Sequence, residues 1–223
     1  MKWNRVLSLS AAAAAVFMLS CGNEKAREAA KLVEQARALQ ASGEGNRKDN
    51  LQKCRVLLKK ALALDPGRDD AKGLLARVLL EGGEYGKALS LAQDLPFPTP
   101  EDSLTMALSA AFLYKLKGDP TLAEKALLGL QGAGDRATPQ ARFKVARALL
   151  EGPGEEGHRK GIRLLEELVK EEKNPPSTWE AMLGVALFRA GMKKDAAVHL
   201  EKALKDPDLP EKETLKKLLE ACR

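Results

Sequence analysis

The stretch from Thr178 to Leu204 reads TWEAMLGVALFRAGMKKDAAVHLEKAL. Its apolar residues recur at helical spacing from Met182 to Leu187, and again from Ala196 to Leu204. Gly191 breaks the pattern between the two runs, as a turn residue does. The stretch therefore predicts two antiparallel helices joined by a tight turn. Gly184 and Ala196 lie twelve residues apart on opposite helices, where small side chains let the two backbones approach closely.

Four other pairs of small residues repeat this arrangement along the chain. Two pairs keep the spacing of twelve, and two are further apart because residues are inserted at the inner turn. The pairs are Ala76 and Ala88, Ala111 and Ala123, Ala146 and Gly161 at a spacing of fifteen, and Ala36 and Cys54 at a spacing of eighteen. The insertions span 152–157 and 43–49, and we expect both to loop into water, which satisfies their backbone groups.

The spacing of these residues resembles the tetratricopeptide repeat (TPR), whose period is roughly 34 residues. The matching positions of the quoted stretch are Leu183-Gly184, Leu187, Ala196 to Leu200, and Pro207 just beyond it. Gly83 and Gly118, at the turns of neighbouring copies, are 35 residues apart. The resemblance implies an all-α fold: a TPR-type right-handed α-solenoid of about five helical hairpins over residues 28–210, with a C-terminal capping helix over 211–223.

Composition agrees with stacked helices and argues against a nucleic-acid partner. The 223 residues are 44% hydrophobic but only 4% aromatic, and no alternating apolar run is long enough to predict a strand. The formal charge of +6 comes from 37 basic and 31 acidic residues, which is a mild excess for a chain of this length. Because no basic tract interrupts the repeats, we expect no nucleic-acid binding.

The first twenty residues have the pattern of an export signal. Lys2 and Arg5 precede an apolar core from Val6 to Leu19, which is too short to span a membrane but suits a secretory signal. Ser20 before Cys21 resembles the bacterial lipoprotein signal. The resemblance implies that residues 1–20 are a lipoprotein signal peptide, that Cys21 is the site of lipidation, and that residues 21–27 are the lipidated N-terminus and a short tether.

Two locations follow from the N-terminal pattern. If Cys21 is lipidated, the resemblance implies a protein anchored in the bacterial cell envelope, and Gly22 at the next position favours the outer membrane, facing the periplasm. If Cys21 belongs to an ordinary cleaved signal instead, the chain is a soluble secreted TPR protein. Multiple acylation of one cysteine would give durable membrane attachment.

The remaining cysteines predict free thiols. Cys54 occupies a position where the repeat needs a small buried residue, and Cys222 lies in the terminal helix. The two lie in the first repeat and the last helix, too far apart for a disulfide bond in an extended stack. The terminal helix also carries Leu215, Leu218 and Leu219, which we expect to cover the last repeat.

We find no pattern typical of catalysis, of metal binding or of a cofactor site. His158 and His199 have no partner at a metal-ligand spacing, and we expect both at the surface. The glycine-rich segment 152–157 lacks the Gly-Lys-Ser/Thr ending of a phosphate-binding loop. The carboxylates are expected on exposed helix faces. The sequence thus predicts a protein that is not an enzyme, with no cofactor, no metal and no small-molecule substrate.

The function class that remains is recruitment of another protein. The leading interpretation is an envelope-anchored scaffold or assembly factor in the periplasm, whose partner is another envelope protein or a peptide segment and whose membrane contact is its N-terminal lipid. The alternative is an accessory subunit of an envelope enzyme or secretion complex. A cytosolic co-chaperone is disfavoured because Arg77, Phe112 and Val185 stand where the Asn of a peptide clamp would be.

The resemblance also implies where a partner binds, because the first helix of each TPR hairpin lines the concave surface. Helical spacing from the small residue of each pair selects the positions that point inward. These predicted groove residues are Arg37, Arg77, Phe112, Lys115, Phe143, Arg147, Phe188 and Arg189, with Leu80 and Val185 beside them. Arginine beside phenylalanine suits an extended peptide with carboxylate or backbone acceptors. Alternatively, the three phenylalanines fill gaps between repeats.

Overall fold

The computed structural model describes residues 24–42 and 46–223. Every regular element in these ranges is a helix, and they contain no strand. The expected all-α fold is therefore confirmed. The chain divides into two compact units, of which unit 1 ends at Pro96 and unit 2 begins at Phe97. The predicted signal peptide and Cys21 lie outside the described residues.

Unit 1 consists of two helical hairpins. Its helices are α1 (24–41), α2 (Arg47–Leu64), α3 (Asp69–Glu81) and α4 (Tyr85–Gln93). Apolar side chains at intervals of three and four residues supply the core, which identifies the buried stripe of each helix. The buried members of this core include Ala29, Val33 and Ala36 of α1, Cys54, Leu58 and Ala61 of α2, and Leu74, Leu75, Val78 and Leu79 of α3.

Helix α1 begins at residue 24, which corrects the expected start of the repeats at residue 28. Residues 24–27 were predicted as tether but are helical. The segment Glu24, Lys25, Ala26, Arg27 and Glu28 contains only strong helix formers, and an acidic residue in the first turn interacts favourably with the helix dipole.

Unit 2 consists of three hairpins and a terminal helix. Its helices are α5 (Pro100–Lys117), α6 (Pro120–Ala133), α7 (Pro139–Glu151), α8 (Glu155–Glu171), α9 (Ser177–Arg189), α10 (Lys193–Ala203) and α11 (Lys212–Cys222), with a 3-10 turn at Gly134–Arg136. Within this unit the first helices of the hairpins are neighbours, because α7 contacts both α5 and α9. The α11 helix packs on both helices of the last hairpin, α9 and α10.

Three helices of unit 2 begin with the same two-residue signal. Thr99, Asp119 and Thr138 are N-caps whose side chains accept a hydrogen bond from a backbone N–H of the first turn, and each is followed by a proline. Proline suits this position because its missing N–H would have no partner there. Thr99 also forms a reciprocal capping box with Asp102. Helix starts in this unit are therefore set locally.

The inner turns and close approaches of the hairpins largely follow the sequence pattern. Gly83, Gly118 and Gly191 adopt positive φ angles of 78°, 71° and 80°, which favour glycine. A Cβ at Gly161 would lie 3.0 Å from the carbonyl oxygen of Ala146, so this predicted pair does meet. At Gly184 the nearest atoms to a Cβ would be those of Leu200 on α10, with Cγ at 2.8 Å, so the two helices of the last hairpin also approach closely there.

The terminal helix covers the last hairpin, as expected. Leu215 is buried, and Leu218 and Leu219 pack on the same apolar cluster, which includes Leu200 of α10. Glu211, the residue before α11, has a φ of 58° and is the only non-glycine residue with a positive φ among those described. In residues 24–42 and 46–223, no helix combines the length and apolarity needed to cross a membrane.

Candidate functional site

A glutamate joins two of the predicted groove residues on neighbouring repeats of unit 2. Lys115 on α5 donates to Glu151 on α7 at 2.6 Å, and Arg147 donates to the same carboxylate at 2.7 Å. Partial burial acts to raise the pKa of Glu151, but hydrogen bonds from Lys115 and Arg147 outweigh it and hold that pKa below its ordinary value. The carboxylate therefore stays ionised and holds the two cations together.

The same glutamate lies at the edge of an open pocket. The pocket has a volume of about 380 Å³ and is bounded by α7, α8, α9 and α11. Its apolar lining consists of Leu150, Ala181, Met182, Val185, Ala186, Leu209, Pro210 and Leu215, and its polar lining of Glu151, His158, Thr178, Arg189 and Glu211. We call this the α9 pocket, because α9 contributes the most residues to it.

The polar groups of the α9 pocket are separated along α9. Thr178 and Arg189 stand near opposite ends of the helix, about 16 Å apart at 1.5 Å per residue. Ser177, the first residue of α9, is hydrogen-bonded to Asp206, and Lys212 donates to the carbonyl of Asp206 at 3.1 Å. Glu211, next to Lys212, thus lies toward the Thr178 end.

The Arg189 end opens into a second cavity of about 590 Å³. His158 and Arg189 line both cavities, and the other lining residues are Gly154, Glu155, Arg159, Ile162 and Ala190. His158 was expected at the surface without a role, but it is half-buried and lines both cavities. We call Lys115, Arg147 and Arg189 the basic row, since they lie near the ends of the successive first helices α5, α7 and α9.

The predicted groove residues of unit 1 have different surroundings. Arg37 is exposed and ion-paired with Glu34 at 3.5 Å and with Asp70 at 3.8 Å. Arg77 is half-buried, and its Nε is buried without a hydrogen-bond partner. Leu80 packs against the apolar core of the unit. Acidic neighbours therefore neutralise the exposed arginine on this side of unit 1.

The three predicted phenylalanines are not equivalent. Phe112 and Phe188 are half-buried, and Nζ of Lys193 lies 6.0 Å from the centre of the Phe188 ring. Phe143 is only 9% exposed and stacks on Trp179 with ring centroids 5.1 Å apart. We therefore correct the expectation for Phe143: it fills the space between α7 and α9, because two large flat rings on neighbouring helices bury more surface together than either does against solvent.

The glycine-rich insertion of the fourth repeat is exposed to water at residues 153–155, as predicted, but its two ends also enclose a buried tyrosine. The hydroxyl of Tyr114 lies 2.7 Å from the carbonyl oxygen of Pro153 and accepts a hydrogen bond from the Gly157 N–H at 3.1 Å. A Cβ at Gly152 or Gly157 would lie within 2.5 Å of the Tyr114 ring. Glycine is required at both positions because the backbone touches the ring.

A buried ionic cluster joins the two helices of the last hairpin. Glu180 is only 5% exposed, and Nδ1 of His199 lies 2.5 Å from its carboxylate, with Nζ of Lys202 at 3.5 Å. This corrects two expectations, namely a surface His199 and carboxylates confined to exposed faces. One signal was present: Glu180 precedes Leu183 by three residues and Gly184 by four, which places it on the buried stripe. Among the described residues, no histidine, cysteine, aspartate and glutamate side chains gather in a group that could hold a metal ion.

Comparison with known sequences identifies repeats in the first half of the chain. Residues 49–112 match the family model described as tetratricopeptide repeat. This match runs from α2 to α5 and includes the hairpin of α3 and α4. No curated protein matches the chain in sequence.

Solved structures extend the likeness to most of the chain. YrrB, described as a TPR protein with an unusual peptide-binding site, is 19% identical, has a TM-score of 0.63, and aligns over 83% of this chain and 90% of its own. TTC0263, a TPR protein of Thermus thermophilus, is 18% identical over 87% of this chain and 98% of its own, with a TM-score of 0.45. The chain therefore contains tetratricopeptide repeats over residues 49–112, and its helical fold as a whole is similar to that of YrrB.

Proposed function

We propose that this chain is an envelope-anchored scaffold that holds a segment of another protein on the first helices of unit 2. TPR proteins bind peptides or proteins, and the fold of this chain supports that general role. The observation that carries the proposal is the basic row: Arg189 lines the α9 pocket, and Lys115 and Arg147 are bound to Glu151, another residue of its lining. Cations beside an apolar concave surface are complementary to an extended chain that carries carboxylates and apolar side chains.

The surroundings of Glu151 favour unit 2 over unit 1 as the binding region. Lys115 and Arg147 share a single carboxylate, so this cluster of three side chains keeps an excess of one positive charge. In unit 1, Arg37 faces two carboxylates. An anionic segment would therefore be attracted to unit 2 more strongly. YrrB is described as having a peptide-binding site, but at 19% identity none of its binding residues is carried over to this chain.

The proposed location is the bacterial cell envelope. The support is the sequence of residues 1–21: a basic start, a short apolar core, and a cysteine after a small residue. Lipid on Cys21 would anchor the chain, and we propose the outer membrane with the repeats facing the periplasm. The anchor would keep unit 2 near partners that share the same compartment.

Metabolic labelling tests the anchor. Cells that produce the chain would be grown with radiolabelled palmitate, and we expect the label in the wild-type protein but not in Cys21→Ala. Cys222→Ala is the matched control, because it removes a thiol from the other end of the sequence and should keep the label. Label that survives in Cys21→Ala would contradict a lipid on this cysteine.

Crosslinking in intact envelopes tests the scaffold role. The wild-type chain should copurify with one or more proteins, and the double variant Phe112→Ala with Arg147→Glu should lose them while keeping its helicity. Arg163→Glu is the control, since this arginine is 84% exposed on α8 and lies outside the α9 pocket. Equal recovery of partners by the double variant and the control would exclude the first helices of unit 2 as the binding region.

A further inference from the structure

We propose that the α9 pocket is a specificity site, which takes one large apolar side chain of the bound segment while Arg189 binds a carboxylate close by in the same segment. This inference rests on the proposed function and adds the chemistry that the partner must present. It concerns the α9 pocket, near the C-terminal end of unit 2. The sequence pointed to Val185 and Arg189 of its lining but did not predict the pocket itself.

The size of the pocket limits what can enter it. Pockets that bind small ligands run from roughly 300 to 1,000 Å³, and the α9 pocket, at about 380 Å³, lies near the lower end of this range. A Leu, Met or Phe side chain fits such a volume, whereas a whole helix does not. The site therefore has room for a large apolar side chain.

The lining favours an apolar anchor. Leu150 of α7 and Leu215 of α11 line the pocket together with Met182 and Val185 of α9, which are half-buried. The flexible thioether of methionine adapts to side chains of different shape. Burying one large apolar side chain here stabilises the complex because it removes apolar surface of both partners from water.

The charges around the pocket differ at its two ends. Lys115 and Arg147 at the α7 side are bound to Glu151. Arg189 is exposed at the mouth of the pocket, and no ion pair is formed by it within the described residues. A guanidinium can hold a carboxylate through two parallel hydrogen bonds, which gives both strength and orientation.

Glu211 marks the opposite end and fixes the direction of the bound segment. Its carboxylate repels an acidic group at the Thr178 end, whereas the Arg189 end carries a guanidinium without an ion pair among the described residues, beside Glu155, so we expect the acidic residue of the ligand at the Arg189 end. Arg189 is four residues beyond Val185, or about 6 Å along α9. An extended chain covers that distance in about two residues, so the ligand's carboxylate should be two or three residues from its apolar anchor.

Selection from a random peptide library tests this specificity. The processed protein in detergent would be presented with displayed 12-residue peptides, and the recovered sequences would be compared among variants. We expect the wild type to enrich peptides with Leu, Met or Phe two or three residues from Asp or Glu. Arg189→Glu should bind those peptides at least about tenfold more weakly and should enrich Lys or Arg at the same spacing.

Two further variants separate the pocket from the charge. Met182→Trp would fill the pocket with a larger side chain at a half-buried position, and we expect it to lose the apolar preference while keeping the acidic one. Arg163→Glu on α8 carries the same charge change as Arg189→Glu and should select like the wild type. Circular dichroism of each variant checks that the fold is retained.

The outcomes distinguish this inference from the proposed function. Recovered peptides without the paired motif, or the same motif from Arg189→Glu, would overturn the specificity. No recovered peptide at all would also overturn it. In each of these cases, partners still captured in crosslinked envelopes would show that the scaffold role stands without the anchor pocket, whereas loss of that capture as well would remove the proposed function.

Discussion

Units 1 and 2 are built from the same kind of hairpin but bury different chemistry. Within residues 24–42 and 46–96, the buried side chains are apolar or cysteine, which a helical stack needs for stability. Unit 2 also buries Asp102, Ser103, Thr105, Ser109 and Glu180. Asp102, Thr105 and Glu180 have hydrogen-bond partners, whereas the Ser109 hydroxyl is buried without one among the described residues. Because a buried polar group is costly without a hydrogen bond, unit 2 depends on specific partners to a greater extent than unit 1.

The surface cavities of the two units also differ, both in volume and in whether they remain open. The cavity of unit 1 beside Glu81 has a volume of about 70 Å³, and Arg47 and Gln40 both donate to Glu81 across it. The α9 pocket of unit 2 is about 380 Å³ and remains open. Helical register alone therefore does not decide which repeats bind a partner, because neighbouring side chains can close a cavity or leave it open.

The largest expected effect tests the packing of unit 2. Phe143→Ala should lower the free energy of unfolding by about 3 kcal/mol or more, since it removes a buried ring stacked on Trp179. Chemical unfolding followed by Trp179 fluorescence would measure this loss. Phe188→Ala is the matched control and should cost about 1 kcal/mol, because that ring is only half-buried. Equal losses would mean that both rings are packing residues.

A pair of glycine substitutions compares the two units directly. Gly157→Ala should destabilise unit 2 by about 3 kcal/mol, because its Cβ would lie 2.1 Å from Cζ of Tyr114. Gly86→Ala on α4 of unit 1 meets no atom within 4 Å and should stabilise by about 0.5–1 kcal/mol, as alanine does in an exposed helix. Thermal melts of both variants would measure the difference. Unchanged stability in Gly157→Ala would show that Tyr114 can move away from the insertion.

The buried carboxylate of Glu180 in unit 2 provides a third, smaller test. His199→Ala should cost about 2 kcal/mol, because Glu180 would keep only Lys202 at 3.5 Å as a partner. The double variant His199→Ala with Glu180→Gln should recover part of that loss, since the remaining buried group is then neutral. Urea unfolding at pH 7 would measure all three proteins. If the double variant is less stable than His199→Ala, then groups other than His199 stabilise the charged carboxylate of Glu180.

The smallest expected effect compares one bridging carboxylate in each unit. Burial acts to raise the pKa of Glu151, but the hydrogen bonds from Lys115 and Arg147 lower it by more. The pKa of Glu84 is lowered chiefly by its hydrogen bond from Lys87. A lowered folded-state pKa means that the stabilisation is present above the unfolded pKa and is lost as pH falls through the folded one. Acid should therefore weaken both bridges only below the ordinary glutamate range.

Glu151→Gln should lose about 0.5–1 kcal/mol at pH 7 and should show a shallower decline in melting temperature below about pH 4 than the wild type. Glu84→Gln, in unit 1, is the matched substitution and should show the same change in its decline with pH, because the Glu84 carboxylate also pairs with a cation of another helix, Arg55, and with Lys87 one turn away. Melting temperatures from pH 7 to pH 3 would test both. An unchanged decline in either variant would show that the bridge it removes does not stabilise that unit.

The sequence by itself determined the helices and where they turn. The periodicity of apolar residues, the caps at Thr99, Asp119 and Thr138, and the glycine turns are local signals, because each involves residues within about two helical turns. The capping helix was predicted correctly because the spacing of its leucines is also a local signal. Even the extra helical turn at residue 24 has a local explanation in its strong helix formers.

Only the tertiary structure decided which side chains became core and which remained available for binding. Phe143 and Phe188 look alike in sequence, but Trp179 covers one ring and leaves the other half-exposed. Tyr114 meets Gly157 across 43 residues, and Glu180 meets His199 across 19. Such pairs depend on how neighbouring helices are aligned, which local periodicity does not fix. The α9 pocket has the same origin, since four helices must pack before its walls exist.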